Sequence, residues 1–136
     1  MKQVVIGLDG HALVLSDVIR GAGGEIWSVG VEVVDTGLRA EKTVASHHAV
    51  GFDDLVEFFA GMAENWHGWA GDRVYESLEH DLRIVGRHLG SRVCLVVELA
   101  EASDPDGWRA EATFTVDAGE QLSAVADDLA ALLGVE

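Results

Sequence analysis

Two segments of this chain carry the same helical stripe, and most of the remainder alternates with period two, a division that few folds accommodate. In "GFDDLVEFFAGMAENW" the side chains Phe52, Leu55, Val56, Phe59, Met62, Ala63 and Trp66 recur at three- and four-residue intervals and make one continuous apolar stripe. In "DAGEQLSAVADDLAALLGVE" Leu122, Val125, Ala126, Leu129, Leu132 and Leu133 repeat that spacing. Asp53 and Asp54 fall in the first turn of the first helix, where carboxylates complement the helix dipole. Asp117 and Glu120 read as a capping box before the second, with Asp in the Ser/Thr place. Each helix is one-sided and has to lie on something.

What they lie on is predicted to be a sheet. Trp108, Ala110, Ala112, Phe114 and Val116 form one face of "WRAEATFTV", and Arg109, Glu111, Thr113 and Thr115 form the other. Val93, Leu95, Val97 and Leu99 behave likewise in "RVCLVVEL", where Cys94 and Val96 make the second face apolar too, as suits a central strand. Trp27, Val29, Val31 and Val33 line one face of "EIWSVGVEVVD", followed after the Thr36-Gly37 turn by Leu38, Ala40 and Val44. Asp9-Gly10 is the two-residue link of a type I′ hairpin, "GAGG" a loop, and "SDPDG" a turn around the only proline. The expected fold is α+β in a single domain over 1–136. Its antiparallel sheet has about six or seven strands in the order ββββαβββα, with both amphipathic helices on one face. A strand-rich segment closing in a glycine and a helix occurs twice, although the halves share few residues.

Length and charge narrow the function classes. The chain has 136 residues, 49% of them hydrophobic, enough for one substantial core. Asp and Glu number 24 against 9 Lys and Arg, for a formal charge of −15. Such a field repels phosphate backbones and anionic membranes, so neither nucleic acid nor a membrane is an expected partner. The bland reading of that acidity is solubility; the functional one is a basic protein partner. One cysteine, Cys94, excludes an intramolecular disulfide and a Cys-rich zinc site, and its apolar setting makes it a small hydrophobe. No secretory leader or long apolar run is legible, and a cytoplasmic protein is expected.

No constellation points firmly to chemistry. His47 and His48 are adjacent, which on a strand sends them to opposite faces. Glu76 and His80 share a strand face but stand about 13 Å apart at the usual rise per residue. Ser77 has no Gly-x-Ser-x-Gly elbow, "GAGGEIW" lacks the flanking strand and helix of a dinucleotide loop, and there is no Walker lysine. No catalytic residue, cofactor or metal is therefore assigned. The binding candidates are Trp69, Tyr75, Ser77 and Glu79, within "WHGWAGDRVYESLEHD". Trp66 closes the helical stripe and Trp69 folds back over the helix end. If "RVYESLEHDLRI" is a regular strand, the preferred reading, Tyr75, Ser77 and Glu79 point away from the helices, opposite Val74, Glu76, Leu78, His80, Leu82 and Ile84. If a bulge interrupts it near His80-Asp81, the three turn inward beneath Trp69.

The stretch from Gly51 onward resembles a family of small, acidic, uncharacterised actinobacterial proteins defined by a domain of unknown function. The resemblance covers residues 50 to 133. It rests on Gly51, Phe52, Leu55, Trp66, Gly68, Trp69, Gly71, Ser77, Glu79, Leu82, Gly119, Glu120 and Leu122. Relatives usually carry Trp where this chain has Tyr75, and an Asp-x-x-Gly-His turn where it has "HLGSRV". The resemblance implies one domain and a bacterial cytoplasmic setting, and it implies no activity.

Three functions are weighed. The leading one is a non-enzymatic acidic binding module, similar in texture to immunity and antitoxin proteins, that engages a basic protein. The second is a small-molecule binder or enzyme with a pocket between sheet and helices lined by Trp27, Trp69 and Trp108, residues that core packing also explains. The third is a self-associating structural protein, a homodimer through an edge strand of the N-terminal hairpin.

Overall fold

The alternating segments are strands and the striped segments helices in the computed structural model, which describes residues 2–47 and 49–134. Four strands come first: β1 (Gln3–Leu8), β2 (His11–Arg20), β3 (Ile26–Asp35) and β4 (Leu38–Ala45). Helix α1 (Asp53–Glu64) follows. Then come β5 (Asp72–Glu76), β6 (Leu82–Leu89), β7 (Arg92–Ala100), β8 (Arg109–Asp117) and helix α2 (Glu120–Leu132). The class is α+β and all strand pairing between these elements is antiparallel, as the short turns require. The expected single sheet is instead two four-stranded sheets, β1-β2-β3-β4 and β5-β6-β7-β8, so the order is ββββα twice.

The added strand comes from "RVYESLEHDLRI", which is a hairpin rather than one strand. Ser77 Oγ accepts the backbone N–H groups of Asp81 (3.1 Å) and Leu82 (3.0 Å), and Ser77 N donates to Leu82 O at 2.9 Å. His80 takes a positive φ of 63°, and the chain reverses. A serine side chain does here what glycine and asparagine do in the turns that sequence patterns recognise.

Each sheet has one buried face, and both faces join one apolar cluster. Val4, Ile6, Leu13, Leu15, Val29, Val31, Val33 and Val44 come from the first sheet. Leu82, Ile84, Val93, Leu95, Val97, Leu99, Phe114 and Val116 come from the second, and the helix stripes join both sets. The connections cross between halves: α2 packs on β1 as well as β8, α1 packs on β5, and the helices lie against each other. Gly86 of β6 permits the approach of α1, since a Cβ there would stand 2.6 Å from Met62 Sδ.

Several local expectations shift. Asp9 is not among the residues of positive φ while Gly10 sits at 80°, so the β1–β2 link is not type I′, which needs both. The capping residue of α2 is Gly119, two residues beyond Asp117. Asp117 Oδ2 accepts Gly119 N–H at 3.1 Å, and Gln121, not Glu120, reaches back to accept Asp117 N–H at 2.8 Å. The stripe of α1 ends before Trp66, which is 49% exposed and stacked on His67. Phe59→Ala should therefore cost roughly 3–5 kcal/mol in urea unfolding. Trp66→Ala, in contrast, should change stability by no more than about 0.5 kcal/mol.

Candidate functional site

The tip of the β5–β6 hairpin brings the chain's polar groups together. Ser77 and Asp81 are both buried, and the Ser77 hydroxyl donates to Asp81 Oδ1. Asp81 O accepts the N–H of Ala100 at 2.9 Å, which ties the tip to β7. Asp81 Oδ2 lies 3.9 Å from Lys42 Nζ, which also stands 3.5 Å from both oxygens of Glu101. Lys42 belongs to β4, at the inward register position opposite Val31, so this ion pair links the two sheets. The Ser103 hydroxyl and then the Lys42 ammonium hold the Glu101 carboxyl below its ordinary range.

Two recesses flank this tip. On one side Lys42, Glu79, Asp81, Glu101, Ala102 and Ser103 line a notch of about 450 Å³. On the other, a cleft of about 370 Å³ lies between the loop before α1 and β5, with Phe52, Asp54, Tyr75, Glu76, Leu78 and His80 on its walls. The turn brings His80 Nδ1 within 3.4 Å of Glu76 Oε2, not the 13 Å of an extended strand. His48 lies outside the described residues, so the adjacent-histidine reading is not addressed there. Among the described residues no group of three or more His, Cys, Asp or Glu side chains could hold a metal ion, and no helix is long and apolar enough to cross a membrane.

The four binding candidates separate. Tyr75 and Ser77 face inward, against the regular-strand reading that sent them outward, whereas Val74 and Leu78 are exposed. Glu79 sits exposed at the turn, on the notch side and not beneath Trp69. Trp69 is half-buried against β6: its indole N–H donates to Gly86 O at 3.4 Å, His88 meets it edge-on, and Arg73 covers the ring at 5.0 Å. Trp27, 59% exposed, lines a different cleft with Arg20, Val50 and Phe52, and Trp108 is 43% exposed at the start of β8. The three tryptophans expected to share a pocket thus lie in separate places.

Sequence reasoning missed Lys42, Asp81 and Glu101. One signal was present: in "LRAEKTVA" the inward positions read Leu38, Ala40, Lys42, Val44, a lysine in an apolar register that requires a buried carboxylate. Chemically, Ser77 Oγ is fully committed, donating once and accepting twice, which leaves no lone pair for attack on a substrate.

The family model for DUF6228, a family of unknown function, matches residues 7–136. The chain belongs to that family. The match reaches well beyond the stretch from residue 50 that carried the resemblance, and takes in the first sheet. No curated protein matches the chain, and no solved structure does. What distinguishes this family member's site is therefore read from its own geometry.

Burial, with Asp54 and Asp81 nearby, pushes the Tyr75 phenol above its ordinary pKa of 10.0. A raised pKa means that the folded protein holds this proton more tightly than the unfolded chain does. The stabilisation is present in full below pH 10.0 and is lost as pH rises from there towards the folded value. Tyr75 is the only tyrosine, so phenolate absorbance reports on it alone. That absorbance should stay flat through pH 10.0 and appear only with unfolding, and an ordinary titration in the folded state would contradict the burial.

Proposed function

We propose that this DUF6228 member is a non-enzymatic binding module that docks its helical face on a basic protein. The observation that supports this reading is the segregation of charge. Helix α1 carries Asp53, Asp54, Glu57 and Glu64, helix α2 carries Glu120, Asp127 and Asp128, and neither contains a lysine or arginine. The two helices pack side by side, so these carboxylates belong to one layer of a single sign. The sheets are different. Three of their arginines are matched across strands, Arg39 with Glu32 at 2.7 Å, Arg87 with Asp72 at 2.8 Å and Arg109 with Glu98 at 2.8 Å.

Such a layer repels another copy of itself and draws a cationic surface, raising the association rate more than the final affinity. A toxin domain or a nucleic-acid-binding protein is a partner of this character. The saturated hydroxyl of Ser77 fits a structural part better than a nucleophilic one. The test is affinity purification from the host with the wild type and two variants. One variant neutralises the helices (Asp53→Asn, Glu57→Gln, Asp127→Asn), and the other neutralises the sheet face (Glu41→Gln, Glu111→Gln). A basic protein retained at low salt, released as salt rises and lost only with the helical variant is the expected outcome. Equal retention by both variants, or no partner at either salt, would remove the proposal.

A further inference from the structure

Tyr75 is 5% exposed, its ring packs against Phe58 with centroids 6.2 Å apart, and its hydroxyl makes no hydrogen bond among the described residues. No wholly buried side-chain nitrogen or oxygen among them lacks a partner, so the oxygen is the part of Tyr75 that reaches the cleft it lines. A phenol oxygen held at the floor of a cleft without a protein partner is available to a ligand. The walls define the ligand's charge. Asp54 and Glu76 are carboxylates, and Asp54 Oδ1 already accepts the N–H of Leu55 at 2.9 Å in the first turn of α1, where an anion would otherwise sit. His80 is turned towards Glu76 at 3.4 Å, and His47 Nδ1 accepts the N–H of Ala49 at 3.1 Å. The remaining wall is apolar, Ala45, Phe52 and the exposed Leu78.

We propose that this cleft binds a small primary aliphatic amine as its ammonium ion, the nitrogen donating to Tyr75 Oη and to the Asp54 carboxylate while the alkyl chain lies along Leu78 and Ala45. Burial first, and then the Asp54 and Asp81 carboxylates, raise the Tyr75 pKa, and a cation beside the hydroxyl would offset the carboxylates' part. A cleft of about 370 Å³ is of the right order for a short-chain amine. The cleft shares Asp54 with the helical face proposed for a protein partner, but the variant that neutralises that face leaves Asp54 in place, so the two readings are tested separately.

The test uses the single tyrosine as its own probe, labelled as fluorotyrosine in the full chain. Titration with n-butylammonium chloride should give a saturable shift of the one fluorine resonance, while n-butanol, n-butyrate and sodium chloride should not. Asp54→Asn should weaken the shift roughly tenfold or more, the cost of losing one charge-assisted partner. Tyr75→Phe removes a hydroxyl that no protein group holds, so it should fold normally, and its melting temperature should no longer rise with the amine as the wild type's does. A linear shift, an equal response to butanol, or binding that survives either substitution would overturn the proposal.

Discussion

Burial of one face of each sheet in a common core is the constraint on which the rest of this structure depends. Neither four-stranded sheet covers its own apolar face, and the helix that follows each sheet also touches a strand of the other half. At about 25 cal/mol per Å² of apolar surface, the separation of the halves would expose more than any surface ion pair restores. Lys42 and Asp81 extend the same constraint into polar chemistry. A lysine on the inner register of β4 needs a carboxylate, and the β5–β6 tip supplies one whose own hydrogen bonds are provided by Ser77 and whose backbone is held by Ala100. The tip is thus rigid because the core requires it, and its rigidity sets the walls of both recesses beside it.

The helices and seven of the eight strands were legible in the sequence because each keeps a period of 3.6 or 2 over enough residues to be read. The break at Ser77–Asp81 was not. It has no glycine, proline or Asn-Gly pair, and the reversal is made by a serine hydroxyl and a left-handed histidine, features that depend on the three-dimensional closing of the turn. That one omission merged two strands and inverted the predicted facing of Tyr75 and Ser77. The number of sheets was beyond the pattern altogether, since alternation says which face is buried and not which strand pairs with which. The tryptophans misled for a different reason: they were read as core by their size, whereas Trp27, Trp66 and Trp108 lie at element ends where only part of each ring finds cover.

The distribution of charge follows from the same architecture. Helices that give one stripe to the core leave their remaining surface to water, and in this chain every charged group on that surface is acidic. Arg39, Arg87 and Arg109 instead fall on outward strand positions beside carboxylates of the neighbouring strand. The two helices bring seven carboxylates and no lysine or arginine to one layer, which gives the molecule an electrostatic direction.

If the two halves share one core, neither can open without the other, and native-state hydrogen exchange tests this most directly. Amides in the central strands β2 and β3 and in β6 and β7 should exchange with a common free energy equal to that of global unfolding measured with denaturant. Exchange of one sheet through an opening of clearly lower free energy, with the other sheet still protected, would contradict the account.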